Sequence, residues 1–146
     1  MAQLAVFFEI DLKAPPSFCY GWLTDYQPED SKINPGLTSR KVVERSPTFV
    51  RLEDESLGPP LNRRAADVHL SPPDAWDVAA RGTLYDYDLH YRLSAVPGGT
   101  RLTIVGTVDT KPGSPFKTRE ENHARFVKSW GLYKAALEED HRRASP

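Results

Sequence analysis

Tyr85, Tyr87 and Tyr91 share one alternating phase of the stretch GTLYDYDLHYRL, residues 82–93, with Leu89 and Leu93. Asp86, Asp88, His90 and Arg92 take the other phase. A period of two over this length predicts a half-buried β-strand. Three phenols on its apolar side need an explanation, because each buried hydroxyl needs a partner that Leu, Val or Ile would not. Either they pack as large core aromatics bonded to backbone or water, or they line a cavity and offer hydroxyls to a ligand. His123 stands between Phe116 and Phe126 on the apolar face of a predicted helix. A histidine there can hydrogen-bond a ligand or exchange a proton near neutral pH, or be satisfied by backbone or by a tyrosine across the sheet. Arg119, one turn earlier, suits a ligand carboxylate at a cavity mouth or a solvated rim. Trp76 shares a phase with Val78 and Ala80 and should point inward; Phe126 and Trp130 lie on the helix. Each of these three is an apolar surface for a ligand or for core packing.

Other chemistries find little support. Glu120–His123 and Glu138–His141 are both Glu-x-x-His, a spacing used in di-iron bundles. Such sites need the motifs on different helices. Here both fall on one helix, roughly 27 Å apart by its rise, so no metal site is expected. Cys19, the single cysteine, excludes an internal disulfide. It falls near the apolar stripe of a short helix and reads as a buried, inert thiol. No serine occupies a nucleophile elbow, and Gly98-Gly99 closes a hairpin rather than cradling a phosphate. No catalytic constellation is visible, and no motif calls for a cofactor. The net charge is −1 with both signs interspersed, which argues against nucleic acid as a partner. MAQLAVFFEIDLK carries Glu9 and Asp11 and no basic start, so it reads as a strand rather than a signal peptide. No run approaches the ~18 apolar residues of a membrane span. A soluble cytoplasmic protein is the expectation.

These residues need elements to position them. Residues 3–13 alternate as a first strand. Pro15 or Pro16 opens a short helix over 16–25, with Phe18, Trp22 and Tyr26 as its stripe. A loop or helical turn over 27–36 follows. Strands are then predicted at 38–45, 48–55, 63–70, 75–81, 83–94 and 100–110. Turn signals at Ser46-Pro47, SLGPPLN, SPPD, Gly82 and VPGG separate them. From Ser114-Pro115 the period changes to that of a helix, predicted over about 115–142 and roughly 40 Å long. One amphipathic helix cannot cover seven flat strands, so the sheet must curl around it. Curling leaves room in the middle. With 146 residues and no internal repeat or linker, residues 1–146 are expected to form a single domain.

This order resembles the helix-grip fold of the SRPBCC superfamily: START-like lipid-binding domains, birch-pollen-allergen-like proteins and the polyketide cyclase/dehydrase group. The matching pieces are FFEIDLKAPPSFCYGWLTDY, PDAWDV, YRLSAVPGGTRLTI and a last helix ending ALEED. The resemblance implies an α+β fold in which a curved antiparallel sheet of about seven strands wraps a long C-terminal helix. It also implies an apolar cavity between the two. A small hydrophobic ligand such as a lipid, a polyketide-like aromatic or an isoprenoid is then the expected partner, bound by a monomer or homodimer. The expected ligand-binding residues are Trp76, Tyr85, Tyr87, Tyr91, Arg119, His123, Phe126 and Trp130. A cyclase or dehydratase, with His123 as the acid–base group, and a chaperone-like interaction module are the alternatives.

Overall fold

The computed structural model describes residues 2–56 and 61–144. Strand β1 (Ala2–Leu12) leads into helix α1 (Pro16–Thr24) and a 3-10 turn (Pro28–Lys32). Six strands follow: β2 (Leu37–Ser46), β3 (Phe49–Ser56), β4 (Asn62–Ser71), β5 (Ala75–Gly82), β6 (Tyr85–Val96) and β7 (Gly99–Thr110). Helix α2 (Arg119–Ala144) closes the chain's described part. The sheet is antiparallel throughout, in the order β1-β7-β6-β5-β4-β3-β2. Six strands therefore form a meander, and β1 returns to pair with the last of them. Every strand falls within a few residues of its sequence pattern; the predicted turn at residues 57–60 lies outside the described residues. This is the helix-grip architecture.

The strands alternate because one face meets the helix and the other meets water. On β1, Leu4, Val6, Phe8 and Leu12 are buried while Glu9 and Asp11 face out. On β6, Tyr85, Leu89 and Leu93 are buried and Tyr87 and Tyr91 are partly buried, with no register shift to flip them. The convex face carries exposed pairs such as Arg101–Asp11 and Arg51–Asp67, each worth about 0–1 kcal/mol. Curvature has local causes. Gly106 in β7 takes φ +151, and a Cβ there would lie 2.0 Å from the Asp88 carbonyl oxygen on β6. Only glycine admits that close backbone approach, which marks a bend in the strand. Register shifts between Leu37/Ser39 and Val42/Glu44 bend the β2 edge in turn.

Helix α2 begins at Arg119, four residues later than its sequence pattern. Ser114 does not cap it. Its hydroxyl donates to the Phe116 carbonyl at 2.7 Å and shapes the preceding loop. Thr118 caps instead: the Glu121 N–H donates to its Oγ1 at 3.1 Å, and its hydroxyl donates to the Glu121 carboxylate at 3.1 Å. The other end is fixed to the β1–α1 junction. Glu138 accepts from the Lys13 N–H at 2.8 Å, Lys134 Nζ donates to the Asp11 carbonyl at 2.6 Å, and Trp22 Nε1 donates to Asp140 at 2.7 Å. Leu137 is fully buried there. The C-terminal half of α2 is thus docked against β1 and α1. Its N-terminal half spans the open middle of the curled sheet.

Candidate functional site

Between the concave face of the sheet and α2 lies a cavity of about 160 Å³. Its apolar wall is aromatic. Trp76 on β5 is 1% exposed and stacks on Tyr91 of β6, with centroids 4.9 Å apart and planes at 7°. Trp130 on α2 closes over Tyr91 at 6.3 Å, and Tyr133 packs against Trp130. Phe126, Tyr87 and Tyr26 complete this side. The register explains the stack: Trp76 pairs directly with Tyr91 across β5 and β6. The Tyr87 and Tyr91 hydroxyls make no hydrogen bond among the described residues, and burial raises the pKa of both phenols.

Beside this aromatic wall the lining is charged, with Arg40 over the Tyr26 ring at 5.2 Å and Arg64 over the Tyr87 ring at 5.7 Å. Arg40, Asp54 and Arg64 are direct cross-strand neighbours on β2, β3 and β4. All three point inward, with side chains 10%, 1% and 11% exposed. Arg40 grips Asp54 with two bonds, Nε to Oδ1 at 2.9 Å and Nη2 to Oδ2 at 2.8 Å. That bidentate geometry is the strong form of such a pair. Arg64 Nη2 reaches the same Oδ2 at 3.2 Å, and Arg40 Nη1 reaches Asp30 at 2.7 Å. Burial would push the Asp54 carboxyl up, but Arg40 and then Arg64 hold it below the usual carboxylate range. The row continues through a phenol. Arg64 Nη1 and, from α2, Arg125 Nη1 donate to the Tyr85 oxygen at 3.1 and 3.2 Å. Arg125 also lies over the rings of Tyr85 and Phe116, at 4.8 and 4.3 Å.

Tyr85 therefore differs from its neighbours. Burial would raise its pKa, but the charges of Arg64 and Arg125 outweigh it and bring the phenol below its ordinary value. Tyr20, Tyr26, Tyr87 and Tyr91 are shifted the other way by burial. An absorbance titration at 295 nm should accordingly show a phenol ionising ahead of the usual tyrosine range. The Tyr85→Phe variant should lose that early phase and keep the late ones; an unchanged early phase would show that the two guanidinium groups do not act on Tyr85.

Of the residues singled out by sequence, Trp76, Tyr87, Tyr91, Phe126 and Trp130 line this cavity. Tyr85 sits behind its wall, 2% exposed, supporting Arg64 and Arg125. Arg119 and His123 are elsewhere. They are exposed and line an outer groove of about 440 Å³ beside β1, with Ala5, Val6 and Phe7. The reason is position along α2 rather than helical phase: His123 stands two turns before the cavity residue Trp130, within about 20° of it around the helix. From α2 the cavity is lined by Arg125, Phe126, Ser129, Trp130 and Tyr133, whereas Asn122 lies on the groove with His123. At that end of the helix the His123 ring lies over β1, 5.8 Å from Phe8. Arg119 is the first residue of the helix, at the exposed end of the same groove.

The charged wall was not anticipated, although a signal for it exists. Asp54 continues the buried phase of Val50 and Leu52, and Arg64 begins the buried phase of Ala66 and Val68. Charges in an inward phase are costly unless paired, so their presence points to a partner across the sheet. Cys19 is fully buried, donates to the Ala14 carbonyl at 3.6 Å and has its pKa raised by burial, as suits an unreactive thiol.

No protein-family model matches the chain, and neither does any curated protein. Solved structures do. Ara h 8.0201 is 17% identical with a TM-score of 0.72, covering 97% of this chain and 99% of that one. The Zhui aromatase/cyclase from Streptomyces sp. R1128 is 13% identical with a TM-score of 0.73, covering 99% and 97%. A START superfamily protein from Mycobacterium smegmatis is 14% identical with a TM-score of 0.70, covering 97% and 99%. At such identities the likeness establishes the SRPBCC/START-like helix-grip fold, over nearly the whole length of each chain.

Proposed function

We propose that this helix-grip protein binds a small lipophilic molecule carrying polar groups, held between the sheet and α2. The observation that carries this reading is the mixed lining of one cavity: the aromatic surfaces of Trp76, Tyr91 and Trp130 together with the hydrogen-bonding row of Arg40, Asp54 and Arg64. Apolar burial supplies affinity, and a few fixed polar groups set orientation. The volume bears on which ligand. An engineered apolar cavity of ~150 Å³ takes up benzene, so about 160 Å³ suits one or two rings, or a short isoprenoid. A long-chain lipid or a fused polycyclic polyketide would require α2 to move outward.

The aromatase/cyclase among the structural neighbours keeps a cyclase or dehydratase role as the alternative. That role has lost its acid–base candidate, because His123 lies outside the cavity. Nothing in the geometry favours the chaperone-like module. Among the described residues no helix is long and apolar enough to cross a membrane. The test is mass spectrometry of the purified protein under native and denaturing conditions, each followed by organic extraction. A reproducible extra mass that denaturation releases is expected. A bare mass in both, with no change on adding candidate lipophiles, would overturn the binding role.

A further inference from the structure

Arg125 is a cation without a counter-ion. Its polar partners are neutral: the Tyr85 hydroxyl at 3.2 Å and the Asn122 side-chain oxygen at 3.3 Å. No carboxylate among the described residues lies within ion-pair distance of it, whereas Arg40 and Arg64 share Asp54. Three arginines and two aspartates line the cavity, which leaves one positive charge over. The donors are also incompletely used. The Nε–H groups of Arg64 and Arg125 are buried and have no acceptor among the described residues. Buried charges and donors are normally paired, and each one left unpaired is costly. The two arginines, one on β4 and one on α2, converge on the Tyr85 oxygen, and both residues line the same cavity.

Building on the binding role above, we propose that the ligand is an anion: a one- or two-ring aromatic acid. Its carboxylate would meet Arg125 and Arg64, and its ring would lie against Tyr91, Phe126 and Trp130. The carboxylate supplies the missing negative charge and an acceptor for the guanidinium groups. A guanidinium is suited to this because its planar fork matches a carboxylate. Tyr85 acts as a positioning residue, holding the two guanidinium groups on either side of one oxygen.

The test compares 2-naphthoate with 2-naphthamide, which match in shape and differ in charge, by isothermal titration calorimetry at pH 7. The carboxylate is expected to bind about tenfold tighter or more. Arg125→Met should erase that preference by bringing acid binding down to the level of the amide. The Arg Nε–H signals of the unaltered protein, followed by ¹H–¹⁵N NMR, provide a second measurement independent of any variant. Naphthoate should shift two of them, and naphthamide should not. Equal binding of acid and amide, or an acid preference that survives Arg125→Met, would overturn the anion inference and leave the binding role standing. Binding of neither at millimolar concentration would remove both.

Discussion

Asp54→Ala should cost roughly 3–5 kcal/mol of folding stability, a large part of the ~5–15 kcal/mol typical of a domain. Asp54 is 1% exposed in its side chain and neutralises both Arg40 and Arg64. Without it, two guanidinium groups face each other across β3 with no anion between them. Urea unfolding at pH 7 measures the loss. The pH dependence carries a sign. The folded pKa of Asp54 is depressed, so its contribution is fully present above the unfolded carboxyl value of ~3.9 and is lost as pH falls through the folded value. The gap between the native protein and the variant should therefore narrow below about pH 4. A constant gap down to pH 2 would mean that the effect is steric.

The same cluster has a second, contrasting expectation. Replacing the whole set by apolar residues of similar size is often neutral or stabilising, because desolvation of the charges is removed along with their attraction. Arg40→Met, Asp54→Leu and Arg64→Met combined should recover most of what Asp54→Ala loses. Recovery would mean that the fold does not need these charges. Their place on the cavity wall then has to be explained by what the cavity holds. That is the physical link between the stability of the Arg40–Asp54–Arg64 row and the anion-binding role of its neighbour Arg125.

The fold was legible because its signals are local and periodic. The alternation through Tyr85–Leu93 and the change to helical spacing after Ser114-Pro115 each follow from which face meets water. Boundaries slipped only where one side chain decides them. Ser114 and Thr118 are both plausible caps by type, and the choice depends on Glu121 standing three residues after Thr118. The site was legible for its aromatic half alone. Trp76, Tyr87 and Tyr91 announce themselves by strand phase. His123 shares its helical angle with Trp130 but stands two turns earlier, beside the groove rather than the cavity, and periodicity does not register position along the axis. The charged half depends on cross-strand register: Arg40, Asp54 and Arg64 are separated by 14 and 10 residues in sequence and become neighbours only once the hairpins are aligned.

Trp76→Ala tests whether the aromatic wall and the cavity form one space. Removing a fully buried tryptophan should cost about 3–5 kcal/mol, the sum of lost transfer energy and of the void left behind. Tyr91 would lose its stacked partner and Tyr20 the ring that it meets edge-on at 5.7 Å. Neither can close the gap, since Tyr91 is held between neighbours in the sheet and Trp130 above it. The void would open into the existing cavity and enlarge it with a flat slot the shape of an indole. Added indole should then fill that slot. At a hundred times its dissociation constant, a ligand that binds only the folded state returns about 2.7 kcal/mol. Urea unfolding of Trp76→Ala with and without indole should therefore show a stabilisation that exceeds the effect on the unaltered protein. An equal or absent effect would mean that the sheet collapses into the space. The cavity would then owe its shape to Trp76 itself rather than to the curvature of the sheet around α2.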